Sequence, residues 1–341
     1  MSWIKDIRAF GNRILFGAPS VPQEFTIGLE EPQNEVSVWL EGMGAPLDVT
    51  RRITTACCAP LMICIGLDKD ALDDRTPPRR TALKFCERGG QKRVLGVIHL
   101  NRAQILRVSE ASFLLCTVVG SENYCLPRLR LWALYSAHSY HQWRHVKNPD
   151  LNMTQAEQRA AMVTFIRPHP LVLVSLQSDF GGNIFPMNLM GELGHGYFGF
   201  ALKDSRVAAH LVERVGRVTL SSVPLAKSAL AYSYAIHHTK NSVEWDELPF
   251  SLHFSDVFSI PYPDFALRVR ELQVERVIKT GSHTFFLARI VSDTTLRAGL
   301  QVNVIHGFYQ AMRLKGHRDR LVESIAQDRF NKKGIPVKCE Q

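Results

Sequence analysis

The apolar residues of this chain come in short runs broken by Gly, Pro and Asp, not in long helical stripes. VSVWL (36–40), LMICIGL (61–67), VLGVIHL (94–100) and FLLCTVV (113–119) fill the first 120 residues. LVLVSLQ (171–177), YFGFAL (197–202), RVTLS (217–221), FALRVREL (265–272) and TFFLARIV (284–291) follow at a similar rhythm. Runs of this length and β-branched content predict strands joined by turns. Helical pattern is confined to 128–163, with Asn148-Pro149-Asp150 as its break, to SRVAAHLVERV behind a Ser205 cap, and to LAKSALAYSYAI after Pro224. A β-rich α+β chain of this kind predicts a barrel or sandwich, not a parallel βαβ sheet.

That expectation disposes of one motif. Gly194-His195-Gly196-Tyr197-Phe198-Gly199 satisfies GxGxxG, but the last glycine runs into FALKD, which reads as a strand. A dinucleotide fingerprint must open a helix so that the pyrophosphate meets its N-terminus. His138, His141 and His145 share a helical face with zinc-compatible spacing, yet no HExxH accompanies them and no metal is expected. No GxSxG elbow is present.

At 341 residues the chain exceeds what one core usually serves. The break at 148–150 sets the expected division: a β-rich domain over 1–150, a second over 151–313 and a basic tail over 314–341. The formal charge of +9 concentrates at 49–107 and after Met312. Lacking aromatic interleaving, these runs read as solvated face and tail, so nucleic acid ranks low as a partner. Seven cysteines without a CxxC suit a reducing cytoplasm. The amino terminus lacks a continuous apolar core before a cleavage site, and no apolar run reaches membrane-spanning length.

The most informative order lies in the second half. The strand LVLVSLQ, the turn SDFGGN, IFPMNLMGELG and the strand YFGFALKDS follow one another. This order resembles the flavin reductase family, whose FMN-binding split barrels (Greek-key) open on an apolar strand, a Gly turn and a flavin-contacting loop. LPFSLHFSDVFSIPYPDFALRVREL looks like the family's late segment, GSHTFFLARI resembles its Gly-Asp-His-Thr strand opening, and HGFYQ is similar to its closing aromatic segment. The likeness covers about 163–313, and Ser282 stands where the family often has an acidic residue.

The resemblance implies NAD(P)H-dependent reduction of FMN or FAD in a homodimer, with reduced flavin released or passed to a partner oxygenase. The competing classes are a flavin or haem binding module on the same barrel and an FMN-dependent oxidase. Lys203, Ser205 and Arg206, where a strand turns into a helix, supply cations, a hydroxyl and helix amides for a phosphate. Pro186, Met187, Asn188, Leu189 and Met190 would edge the flavin ring; Asn183, Ser221, Ser222 and Tyr309 complete the expected cofactor set. The plain alternative is a capped helix and an ordinary loop. His283 is either a satisfied turn residue or, as the resemblance implies, the group that positions the nicotinamide.

Asp48–Asp68 has the same length as Ile184–Asp204 and also ends in an apolar strand plus Asp. This predicts a second copy of the barrel over 35–120, although two short β-rich stretches also match by chance. Its loop offers Arg51, Arg52, Thr54 and Thr55, but Asp68-Lys69-Asp70 replaces Lys203-Asp204-Ser205-Arg206, a poorer phosphate site. The copy is therefore expected to have lost its flavin and to cover the second barrel or form the dimer surface.

Overall fold

The computed structural model describes residues 24–30, 32–69, 78–88, 93–108, 110–145, 152–179, 181–315 and 322–323. Asn148-Pro149-Asp150, Asp70, most of the basic tail and the side chains of residues 141–145 lie outside the described residues. β1 (Glu24–Leu29) precedes a first sheet made of β2 (Val36–Glu41), β3 (Leu47–Asp48), β4 (Ile53–Cys58), β5 (Leu61–Asp68), β6 (Arg80–Glu87), β7 (Val94–Arg107) and β8 (Ala111–Asn123). Helices α1 (Arg128–His145) and α2 (Gln155–Thr164) and the short β9 (His169–Pro170) lead to a second sheet. That sheet comprises β10 (Val172–Ser178), β11 (Gly181–Met187), β12 (Met190–Gly194), β13 (Tyr197–Lys203), β14 (Arg217–Ser222) and, after the hairpin β15 (Leu252–Phe254) and β16 (Pro261–Pro263), β17 (Arg268–Lys279) and β18 (His283–Thr295). Helix α3 (Val207–Val215) joins β13 to β14, α4 (Ser228–Ser233) follows β14, and β19 (Gln301–His306) runs into α5 (Gly307–Lys315).

The two sheets have one topology. The first is ordered β3-β2-β6-β7-β8-β5-β4 and the second β11-β10-β14-β17-β18-β13-β12. Counted from its own first strand, each reads 2-1-5-6-7-4-3. Most of their irregularities also coincide, the β6–β7 slip at Phe85/Cys86 in the first sheet being the exception. The β4–β5 pairing slips between Thr55 and Cys57, and β12–β13 slips between Glu192 and Gly194. The β7–β8 ladder slips at His99/Leu100 and Arg102/Gln104, and β17–β18 at Glu271/Leu272 and Val274/Arg276. A bulge bends its strand and re-aims side chains, so bulges shared at the same steps impose the same curvature. The pairings equate Lys203 opposite His283 with Asp68 opposite Ala111. This is one residue off the sequence comparison, which set Asp68 against Asp204.

Each sheet closes on its own apolar filling. Val174, Phe185, Met190, Phe200, Leu220, Leu272 and Phe286 come from all seven strands of the second sheet and form one cluster with Ala208, Ala209 and Val212 of α3. Both edge strands feed that cluster, so the sheet curls around it. The first sheet fills likewise, with Val38, Ile53, Ile65, Leu83, Phe85, Ile98 and Leu114. This core also takes Met162, Val163 and Ile166 from α2 and its end, and Phe308, Tyr309 and Met312 from α5. Side chains on either side of the expected division at 150 thus share one core, and the chain's last described helix completes the first half.

A third cluster lies between the sheets: Ala56, Cys57, Met62, Cys64, Phe113 and Leu115 pack against Leu193, Tyr197, Ala201, Phe285 and Leu287. β4 packs against β12 and β13, and β12 against β5. Since β4 corresponds to β12 and β5 to β13, these contacts are reciprocal, the pattern of an isologous interface. Close approach demands glycine there. A Cβ on Gly66 would sit 1.8 Å from the Leu193 carbonyl oxygen, and one on Gly191 would sit 2.7 Å from that of Ile53.

Candidate functional site

The last residue of β13, Lys203, pairs with the first residue of β18, His283, so the strand-to-helix corner and the Gly-Ser-His turn meet. Arg206 is the N-cap of α3 and makes no side-chain cap bond. Ser205 is exposed and does not cap the helix, contrary to the sequence expectation, because the helix begins one residue later than its pattern suggested. Asp204 accepts from Thr284 Oγ1 at 2.6 Å and from Lys279 Nζ at 3.0 Å, and Lys279 also reaches Glu213 at 3.1 Å. These partners, Thr284 first and Lys279 next, hold the Asp204 carboxyl below its ordinary range. Lys279 offsets one of these two acids, and with Lys203, Arg206 and a helix end that has no side-chain cap the corner keeps a net positive charge.

His283 is 4% exposed. Its Nδ1 lies 2.8 Å from Ser282 Oγ, which accepts the Ala59 amide at 3.0 Å. A hydroxyl accepts at two lone pairs and donates once, so Ser282 ties the Ala59 amide to the imidazole ring through one oxygen. Burial, reinforced by the nearby Lys203 charge, pushes the imidazole down to about 4, so it is neutral at pH 7. Cys57 Sγ closes the group at 3.5 Å from Ser282 Oγ and 4.0 Å from Nδ1. Gly281 has φ 108°, and a Cβ there would meet the Ala59 carbonyl oxygen at 2.7 Å. The turn is therefore clamped by residues 56–59 of the first half. Sequence reading missed Cys57 and Ala59, because nothing local links positions over 220 residues apart.

The other expected residues are placed differently. Asn183 is fully buried, and its amide donates to the carbonyls of His237 and Lys240 at 3.1 and 2.8 Å. The Pro186 carbonyl accepts from His238 at 2.8 Å, and His238 is held below the ordinary histidine range by burial, with Arg206 adding to the shift. Met187 and Met190 are core side chains, while Asn188 and Leu189 form the half-buried link between β11 and β12. Ser221 and Ser222 are buried on β14, the Ser221 hydroxyl with no partner among the described residues. Tyr309 sits in the first half's core, with its hydroxyl donating to Glu35 at 2.9 Å. Its aromatic character in HGFYQ signalled packing.

The Gly194–Gly199 motif forms a turn, with positive φ at Gly194, His195 and Gly196, followed by β13. No helix follows it, as expected from FALKD. In the first half, the position equivalent to Lys203 is Asp68. Its carboxylate lies 2.6 Å from His195 Nε2 and 2.7 Å from Arg52 Nη1, and these partners, His195 first, hold it low. Ala111 stands where the second half has His283.

No family model and no curated protein matches the chain. Solved structures similar to it are flavin reductases and FMN-binding proteins. An FMN-binding protein from Thermus thermophilus is 20% identical, with 40% of this chain and 81% of that chain covered at a TM-score of 0.36. The NADH:FAD oxidoreductase of Streptomyces globisporus C-1027 is 15% identical over 44% of this chain and 89% of that one, TM-score 0.39. The styrene monooxygenase flavin reductase of Pseudomonas putida S12 is 15% identical over 43% and 92%, TM-score 0.35.

Proposed function

We propose that the second half is an FMN-binding split barrel and that the chain is an NAD(P)H-dependent flavin reductase. The observation that carries this reading is the meeting of Lys203 and Arg206 with His283 at one corner of the second sheet. The donor set fits a flavin phosphate: two cations and uncapped helix amides, with the neighbouring carboxylate already engaged by Lys279. Lys203 and Arg206 would hold the phosphate, and Asn188 and Leu189 would edge the ring. Bound flavin supplies the hydride-accepting ring. His283, held in place by Ser282, orients the ligands by hydrogen bonding; a neutral imidazole of such low basicity does not deliver protons at pH 7.

The first half is read as a second copy of the barrel in which Asp68 and Ala111 have replaced the cation and the imidazole. In this reading the reciprocal packing of the two halves takes the part of the pairing expected of a homodimer. One flavin site per chain follows. Reduced flavin would leave for a partner oxygenase or be released. The test is an absorbance spectrum of the purified chain with FMN, then anaerobic NADH or NADPH. Bleaching of the flavin band supports the reductase. A flavin band that neither nucleotide bleaches supports a carrier, and a Soret band supports a haem module.

A further inference from the structure

Away from that corner, inside the first sheet, lies a small cavity lined by Ile53, Thr54, Thr55, Ile63, Phe85, Thr164, Arg167 and His169. Arg167 is 3% exposed, His169 3% and Thr54 1%. Each carries a buried polar atom with no partner among the described residues: Arg167 Nε, His169 Nδ1 and Thr54 Oγ1. The Arg167 guanidinium makes one long bond, Nη1 to the Ile53 carbonyl at 3.4 Å, and among the described residues forms no ion pair. Glu192 is the acid whose field reaches it, but that carboxylate is bound by Arg270 at 2.5 Å. Thr164 Oγ1 already donates to the Ala161 carbonyl at 2.7 Å.

A buried cation without a counter-charge is costly, and unpaired buried donors add to the cost. The cavity removes both problems if something negative fills it. No acidic side chain lines it, and the unpartnered polar atoms there are the Arg167 Nε–H, the Thr54 hydroxyl and His169 Nδ1. The centre of a water-sized sphere has about 10 Å³ in which to move, room for one water or one monatomic ion.

We propose that Arg167, His169 and Thr54 form a binding site for a monatomic halide-class anion, chloride being the available ion. The ion neutralises the guanidinium and joins β4 to the segment after α2. Since β4 also packs against β12 and β13, the site braces the strand that lies between the two sheets. This site is independent of the flavin reading.

The experiment is thermal unfolding of the full chain while chloride replaces gluconate at constant ionic strength, with crystals grown in bromide for anomalous scattering. The expected result is a saturable rise in Tm with chloride and a bromide peak between Arg167 and Thr54. Thr54→Val, nearly isosteric, should raise the half-saturating chloride concentration by about fivefold, the order expected for one hydrogen bond. Arg167→Met should abolish the chloride dependence; if it does not fold, Thr54→Val and the bromide map decide. A chloride-independent Tm, or a water in the cavity with no bromide peak, would overturn the proposal.

Discussion

At the scale of single residues, His283 is the test of the site. His283→Ala is expected to keep most FMN affinity while slowing flavin reduction 10- to 100-fold, equivalent to about 1.4–2.7 kcal/mol of barrier. Stopped-flow bleaching at saturating NAD(P)H, beside an FMN titration, measures both; an unchanged rate or a collapse of binding would leave His283 a structural residue. Lys203→Ala with Arg206→Ala should weaken FMN more than riboflavin, because charge-assisted bonds to phosphate are the stronger ones. Equal loss of both ligands would move the phosphate elsewhere.

Histidine chemistry also sets an acid limit. His283 is held down to about 4, and His169 and His306 to about 3, burial being the leading cause in each. A folded-state value below the unfolded one, about 6.5, means the unfolded chain takes up the protons first. The stabilisation is whole above pH 6.5 and is lost as pH falls towards 4 and then 3. Each such proton corresponds to about 1.4 kcal/mol per pH unit. Denaturant melts at pH 7, 6, 5 and 4 should show the decline, with a shallower slope for His283→Ala; a flat profile would mean these rings accept protons in place.

At the scale of elements, the strands between the sheets carry the tightest constraint. Gly66→Ala would drive a methyl into the Leu193 backbone, so β5 and β12 must separate. The expected loss is about 1–3 kcal/mol or more, read as a lower denaturant midpoint. The edge face of each sheet shows how burial selects residues. Glu41 and Lys84 pair at 3.3 Å on the half-exposed face of the first sheet. Their counterparts by register are Ser175 and Ser221, fully buried where segment 223–267 covers the second sheet. The same backbone carries an ion pair in water and small hydroxyls under a cover.

At the scale of the molecule, the halves are tied twice: by the cluster between the sheets, and by β1 pairing with β19 while Arg313 of α5 bonds Glu35 at 2.6 Å. With the reciprocal interface satisfied inside the chain, size-exclusion chromatography with light scattering should give a monomer, and flavin titration one FMN per chain. Two FMN per chain would restore a working site to the first half.

The strand rhythm was legible residue by residue, because alternation and turn residues are local: β2, β5, β7, β8, β10, β13, β14 and β18 lie where the runs predicted them. The repeat was legible only as equal length and a shared Asp, one residue out of register, since few identities survive and it is the bulges that align the copies. The electropositive corner could be read from Lys203 and Arg206 standing between a strand and a helix. Only the tertiary structure decided that Cys57 and Ala59 clamp the His283 turn, that Tyr309 belongs to the first core, and that Arg167 is buried beside Thr54. Each of these joins positions more than 100 residues apart, and such contacts are fixed by how curled sheets pack, which no local pattern encodes.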